Sequence, residues 1–141
     1  MIISFDPGLT TGYAMTMRET YQFGHLSESL KGIYDFLSFR NPTFIVYEDF
    51  KHRPQIINTE LYSLQVIGVL RLWAQQHDVP TSTMLPATAK SFWTDDKIKA
   101  LGLWKPGQKH AMDALRVLLT YRGNTEPKWH DDMLRKLRDK L

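Results

Sequence analysis

Two hydrophobic rhythms alternate along this chain. Residues 1–6 form an apolar run rich in β-formers that stops at Asp6, which predicts a buried strand. Residues 12–16 predict a second strand, with Asp6, Pro7, Gly8, Thr10 and Thr11 in the connection. Residues 20–23 predict a third, entered through a tight turn at Arg18 and Glu19, so the first three strands read as an antiparallel meander. The rhythm then becomes helical. Leu30, Ile33, Tyr34 and Leu37 recur at helical spacing behind Ser27 as the expected cap, and Asn41-Pro42 ends the pattern. Residues 44–48 are apolar until Glu48 and predict a central, parallel strand.

A long helix is predicted over 59–77. Its apolar residues Leu61, Leu64, Val66, Ile67, Val69, Leu70, Leu72 and Trp73 cover more than one face. That predicts burial on two sides, the second against another copy of the chain. Gly68 reads either as a point of close backbone approach or as a tolerated mid-helix glycine. A turn at 77–80 leads to a short strand over 81–85, ended by Pro86. Residues 87–104 read as short helices and loops, with Phe92, Trp93 and Trp104 expected at the surface. Pro106-Gly107 precedes a helix over 108–121, striped by Ala114, Val117, Leu118 and Tyr121. A linker over 123–128 and an amphipathic helix over 129–140 complete the chain. The order β-β-β-α-β-α-β-α predicts an α/β fold, a five-stranded mixed sheet flanked by helices. The expected division is a folded unit over 1–122 and a linker with a basic helix over 123–141.

The 141 residues suffice for one domain with a true core, and 43% hydrophobic with 23% charged residues is ordinary for a globular protein. No apolar run approaches the ~20 residues that span a bilayer, so no membrane partner is expected. The first residues lack the basic start of a secretion signal, and their apolar run breaks at Asp6. The absence of cysteine excludes disulfides and thiolate metal sites and fits a cytoplasmic location. A net charge of +3 permits a polyanionic partner without demanding one. The placement of the charges says more. Lys51, His52 and Arg53 follow Glu48, and Lys90, Lys97, Lys99, Lys105 and Lys109 precede Asp113, so basic side chains bracket the acidic ones.

Those acidic positions carry the chemistry. Ile2, Ser4 and Asp6 share one face of the first strand, and Phe44, Val46 and Glu48 share one face of the fourth. Adjacent parallel strands ending this way set Asp6 beside Glu48. Like charges so close raise each other's pKa, a penalty that a bound dication removes. On the last long helix, His110 and Asp113 are three apart and face the same way. An oxygen-rich set with one imidazole suits Mg²⁺ or Mn²⁺. Two such ions, about 3.5–4 Å apart, serve phosphodiester cleavage. Gly8 would let the backbone approach a phosphate. Taken singly, each position has a structural account. Asp6 reads as a turn residue, Glu48 as a partner for Lys51 or Arg53, His110 as a surface histidine, and Asp113 as a first-turn acid favouring the helix dipole. Their combination and order point to one scaffold.

That combination resembles the RuvC-like Holliday junction resolvases of the ribonuclease H superfamily. The resemblance lies in Phe5-Asp6-Pro7-Gly8-Leu9-Thr10-Thr11-Gly12-Tyr13-Ala14, in Val46-Tyr47-Glu48 and in His110-Ala111-Met112-Asp113-Ala114-Leu115. The compact length resembles phage-encoded members. The resemblance implies Asp6, Glu48, His110 and Asp113 as catalytic metal ligands for Mg²⁺ or Mn²⁺. For a two-ion site, our own reading puts Asp6 and Asp113 on one ion and Glu48 and His110 on the other. It implies paired nicking of branched, four-way DNA by a homodimer, here through helix 59–77. It also makes Lys90, Lys105 and Lys109 DNA contacts, and Phe50 the aromatic that enters the junction; Lys51 and Arg53, which follow Glu48, are expected DNA contacts as well. Three other readings stand beside it: an RNA-processing nuclease of YqgF type, a nucleotide-binding domain of actin-like ATPase type, and a catalytically silent DNA-binding module. The length of the chain weighs against the ATPase, which needs two such domains around its nucleotide.

Overall fold

The computed structural model of the chain describes residues 1–27, 29–49 and 58–141, and of 58–60 the backbone only. Phe50, Lys51 and Arg53, three of the expected DNA contacts, lie outside the described residues.

Strand β1 (Ile2–Asp6) is covered on both faces because it sits at the centre of the sheet. The order is β3-β2-β1-β4-β5, with β2 at Thr11–Met17, β3 at Thr20–Leu26, β4 at Phe44–Glu48 and β5 at Thr81–Met84. The meander β1–β2–β3 is antiparallel, and β4 and β5 add in parallel. This is the mixed five-stranded sheet that the sequence predicts.

One face of the sheet is covered by α1 (Leu30–Arg40) and α2 (Asn58–Gln76). Ile3, Phe5, Ile45 and Tyr47 from the strands pack there against Ile33, Leu37, Val66, Leu70 and Trp73. The cap of α1 is Ser29, not Ser27: its hydroxyl accepts from the Gly32 amide at 3.1 Å, because β3 continues to Leu26 and shifts the helix start. Helix α2 turns Val66, Ile67, Leu70, Trp73 and Ala74 inward. Leu61, Leu64 and Leu72 remain exposed, so within one chain the helix is covered on one side.

The other face carries α5 (Lys109–Thr125), in which residues 111–120 are all buried. Ser4, on that face of β1, donates to the Ala114 carbonyl at 2.6 Å and seats the helix over the central strand. The outer side of α5 is closed by α3 (Pro86–Phe92), α4 (Asp95–Ala100) and α6 (Pro127–Lys140). Two expectations are corrected here. Trp93 is buried, with 1% exposure, because the bend between α3 and α4 folds back onto α5 and seats the indole near Met112 and Leu115. The linker expected over 123–128 is instead the last turn of α5, Glu126 and the first turn of α6. Arg122 makes that joint tight: its guanidinium holds Glu126, donates to the Tyr21 hydroxyl and lies 4.5 Å from the Trp129 ring centre.

Candidate metal centre

The site forms where β1 and β4 end beneath the first turn of α5. The last register pair between these parallel strands is Phe5 with Tyr47, so the next step sets Asp6 beside Glu48. Both carboxylates point to the α5 face, as their two-residue alternation with Ser4 and Val46 requires. Across the sheet, Asp6 is in register with Gly12, and Gly12 with His25. Gly12 leaves a gap in this row, and His110 sits over it. Its Nδ1–H donates to Asp6 Oδ2 at 2.9 Å, and its ring meets His25 edge-on, with centres 5.9 Å apart.

The electrostatics favour a cation. Burial, with Asp6 and Asp113 nearby, pushes the Glu48 carboxyl from 4.5 to about 7, only partly relieved by Lys90. Burial likewise raises Asp6; the hydrogen bond from His110 opposes the rise and Asp113 adds to it. Glu48 Oε2 is buried with no hydrogen-bond partner among the described residues. Three mutually repelling carboxylates and an unpartnered buried oxygen fit a divalent ion. Yet the donors stand as neighbours rather than as a closed cage. Among the described residues no group of three or more His, Asp or Glu is drawn together tightly enough to hold an ion. Asp113 explains part of this. Its Oδ1 accepts from Arg116 Nη1 at 2.9 Å, and its Oδ2 lies 3.7 Å from Lys90 Nζ. His110 pairs with Asp6.

Two clefts flank the start of α5. One, of about 330 Å³, is lined by Asp6, Gly8, Thr10, Ser63 and His110. The other, of about 580 Å³, brings Lys90, Lys105 and Lys109 together beside Asp113, with Trp104 in its wall. The three described lysines expected at DNA thus gather next to a site carboxylate. Lys105 also lies 4.7 Å above the Phe23 ring, which places it on the β3 side. A larger cleft of about 810 Å³, lined by Phe92, Lys97, Leu134 and Arg138 among others, contains none of the site carboxylates.

Sequence reasoning missed three residues at this centre. Arg116 was legible as a partner three residues beyond Asp113 on one helix. His25 carries no local signal; only the strand register brings it into the row. Gly12 permits a close approach within the chain itself. A Cβ at Gly8 would find ordinary contacts, whereas one at Gly12 would overlap the His110 carbonyl.

Comparison with solved structures places the fold. T. thermophilus RuvC in complex with a Holliday junction substrate aligns with a TM-score of 0.61 over 89% of this chain and 96% of that one, at 17% identity. The Thermus thermophilus RuvC structure aligns with a TM-score of 0.56 over 88% and 95%, at 18% identity. The chain therefore has the α/β, ribonuclease H-like fold of RuvC. No protein-family model matches it, and no curated protein is similar in sequence.

Proposed function

We propose that the protein is a metal-dependent DNA endonuclease that resolves four-way junctions by paired nicks. The observation that carries this is the neighbourhood of Asp6, Glu48 and Asp113, from two strand ends and one helix, with His110 bound to Asp6 and a buried, unpartnered oxygen on Glu48. The shared fold with a RuvC bound to a Holliday junction substrate supports the choice of substrate.

Asp6, Glu48 and Asp113 would hold two Mg²⁺ or Mn²⁺ ions, with His110 as a nitrogen donor or as the group that orients Asp6. Such ions activate water and stabilise the departing oxygen of a phosphodiester. The chain's own residues supply the rest. Lys90, Lys105 and Lys109 hold the phosphates beside Asp113 through charge, without reading sequence. Phe50, Lys51 and Arg53 follow Glu48 in sequence and complete the DNA-facing set.

A four-way junction has two-fold symmetry, so paired nicks need two sites related by a dyad. Helix α2 supplies the surface. Leu61, Leu64 and Leu72 are exposed at helical spacing, and among the described residues nothing lies within 4 Å of where a Gly68 Cβ would be. An exposed mid-helix glycine costs about 1 kcal/mol relative to alanine, a cost that close approach of a second α2 would offset. Among the described residues no helix is long and apolar enough to cross a membrane.

Labelled four-way DNA junctions and RNA hairpins, each incubated with Mg²⁺ or Mn²⁺, test this reading. Symmetric nicks on opposing strands of the junction are expected. Preferential cleavage of the hairpins would instead make the protein an RNA-processing nuclease on the same scaffold.

A further inference from the structure

Arg116 follows Asp113 by three residues on α5 and is buried despite its charge. Its guanidinium donates in three directions: Nε to the Trp93 carbonyl at 2.8 Å, Nη1 to Asp113 Oδ1 at 2.9 Å, and Nη2 to Asp95 Oδ1. Trp93 follows α3, which carries Lys90, and Asp95 opens α4. Only a planar fork with several fixed N–H groups meets three acceptors so placed; an ammonium on a flexible stem does not. Asp95 already supplies a counter-charge, so neutrality alone does not require Arg116 to engage a carboxylate of the site. The contact has a consequence for Asp113. One oxygen is held by Arg116, and the other, Oδ2, faces Lys90 on the site side. Asp113 belongs to the same charge cluster as Asp6 and Glu48.

Resting on the reading of Asp113 as a metal ligand, we propose that Arg116 is a positioning residue. It locks the Asp113 carboxylate in one rotamer, so that Asp113 ligates a divalent ion through Oδ2 alone. It also ties the Lys90 helix to that carboxylate. Lys90 is half exposed on a flexible stem, so it can leave Oδ2 for a phosphate when an ion arrives. Arg116, held on three sides, stays.

Mn²⁺ titration of the full chain without DNA, with free Mn²⁺ read by electron paramagnetic resonance, tests this separately from activity. Arg116→Lys keeps the buried charge and loses the fork. It is expected to weaken Mn²⁺ binding about tenfold, as loss of a residue supporting a metal ligand typically does. In an Asp113→Asn background the same change is expected to alter binding by less than about twofold, the limit of additivity for uncoupled sites. Equal weakening in both backgrounds, or none in either, overturns the inference, because a purely structural role does not depend on Asp113. Should Asp113→Asn itself leave Mn²⁺ binding unchanged, the ligand assignment fails instead. In Arg116→Lys the affinity for a four-way junction without metal is expected to stay at the wild-type value.

Discussion

The backbone of Gly12 lies directly beneath the carbonyl of His110. A Cβ at position 12 would overlap that carbonyl and come within 2.8 Å of the Ala111 amide nitrogen. The first turn of α5 thus rests on the second strand at the one position that lacks a side chain. This seat sets the height of His110 and Asp113 above Asp6 and Glu48.

Gly12→Ala is therefore expected to lift the start of α5. Overpacking of this kind costs about 1–3 kcal/mol, and loss of site geometry should reduce nicking far more than that stability loss explains. Urea unfolding and nicking rates of the variant check this. Gly8→Ala is the control: its Cβ would meet Thr10 O at 3.4 Å, an ordinary contact, so stability should be nearly unchanged.

The raised Glu48 carboxyl predicts a pH dependence. A group whose pKa is higher folded than unfolded contributes its full stability below the unfolded value and loses it as pH rises through the folded one. For Glu48 that window runs from 4.5 to about 7. The metal-free protein should lose stability across it, on the order of 1–2 kcal/mol once the half-buried position is discounted for solvent screening. Raised Asp6 acts in the same sense. Glu48→Gln should flatten the slope, and Mn²⁺ should raise the melting temperature more at pH 8 than at pH 5.5. A slope unaltered by the glutamine would show that Glu48 is not the group responsible.

His25 is exposed, touches His110 and stands two strands from Asp6 in the same row. Under the proposed function, its exposed ring in this row is a candidate donor to a substrate phosphate. His25→Ala should raise KM about tenfold, the loss of one hydrogen bond to a charged group worth about 1.5 kcal/mol, with kcat little changed. An equal fall in kcat at constant KM would argue against a role in substrate binding.

The exposed face of α2 gives a fourth expectation. Leu64→Glu puts a charge among Leu61, Leu72 and the open position at Gly68. Sedimentation should show a dimer for the wild type and a monomer for the variant, and the variant should nick one strand without its partner. A variant that remains dimeric would place the interface elsewhere.

Much of this architecture was legible in the chain, for identifiable reasons. Strands β1 and β4 end their apolar runs on Asp6 and Glu48, and the alternation that buries Ser4 and Val46 beneath α5 also points both carboxylates there. His110 and Asp113 lie one turn apart by helical spacing alone. What escaped depends on contacts remote in sequence. Trp93 looked like a surface aromatic because nothing nearby announces that its carbonyl is taken by Arg116, 23 residues on. Ser27 looked like a cap because β3 runs three residues further than its β-formers suggest, to Leu26. His25 belongs to the centre only through two successive strand registers. Asp113 is the fifth residue of α5, past the first turn where a helix-dipole account would put it; it is bound to Arg116 and is a neighbour of the site carboxylates. Spacing alone does not separate these roles.

The central claim is that Asp6 and Asp113 serve the chemistry and the basic side chains serve the binding. The most direct measurement follows nicking and binding of one labelled four-way junction by wild type, Asp6→Asn and Asp113→Asn in Mg²⁺. The wild type should place symmetric nicks on opposing strands. Both variants should bind the junction with near wild-type affinity and leave it uncut. Cleavage by either variant at the wild-type rate would contradict the account.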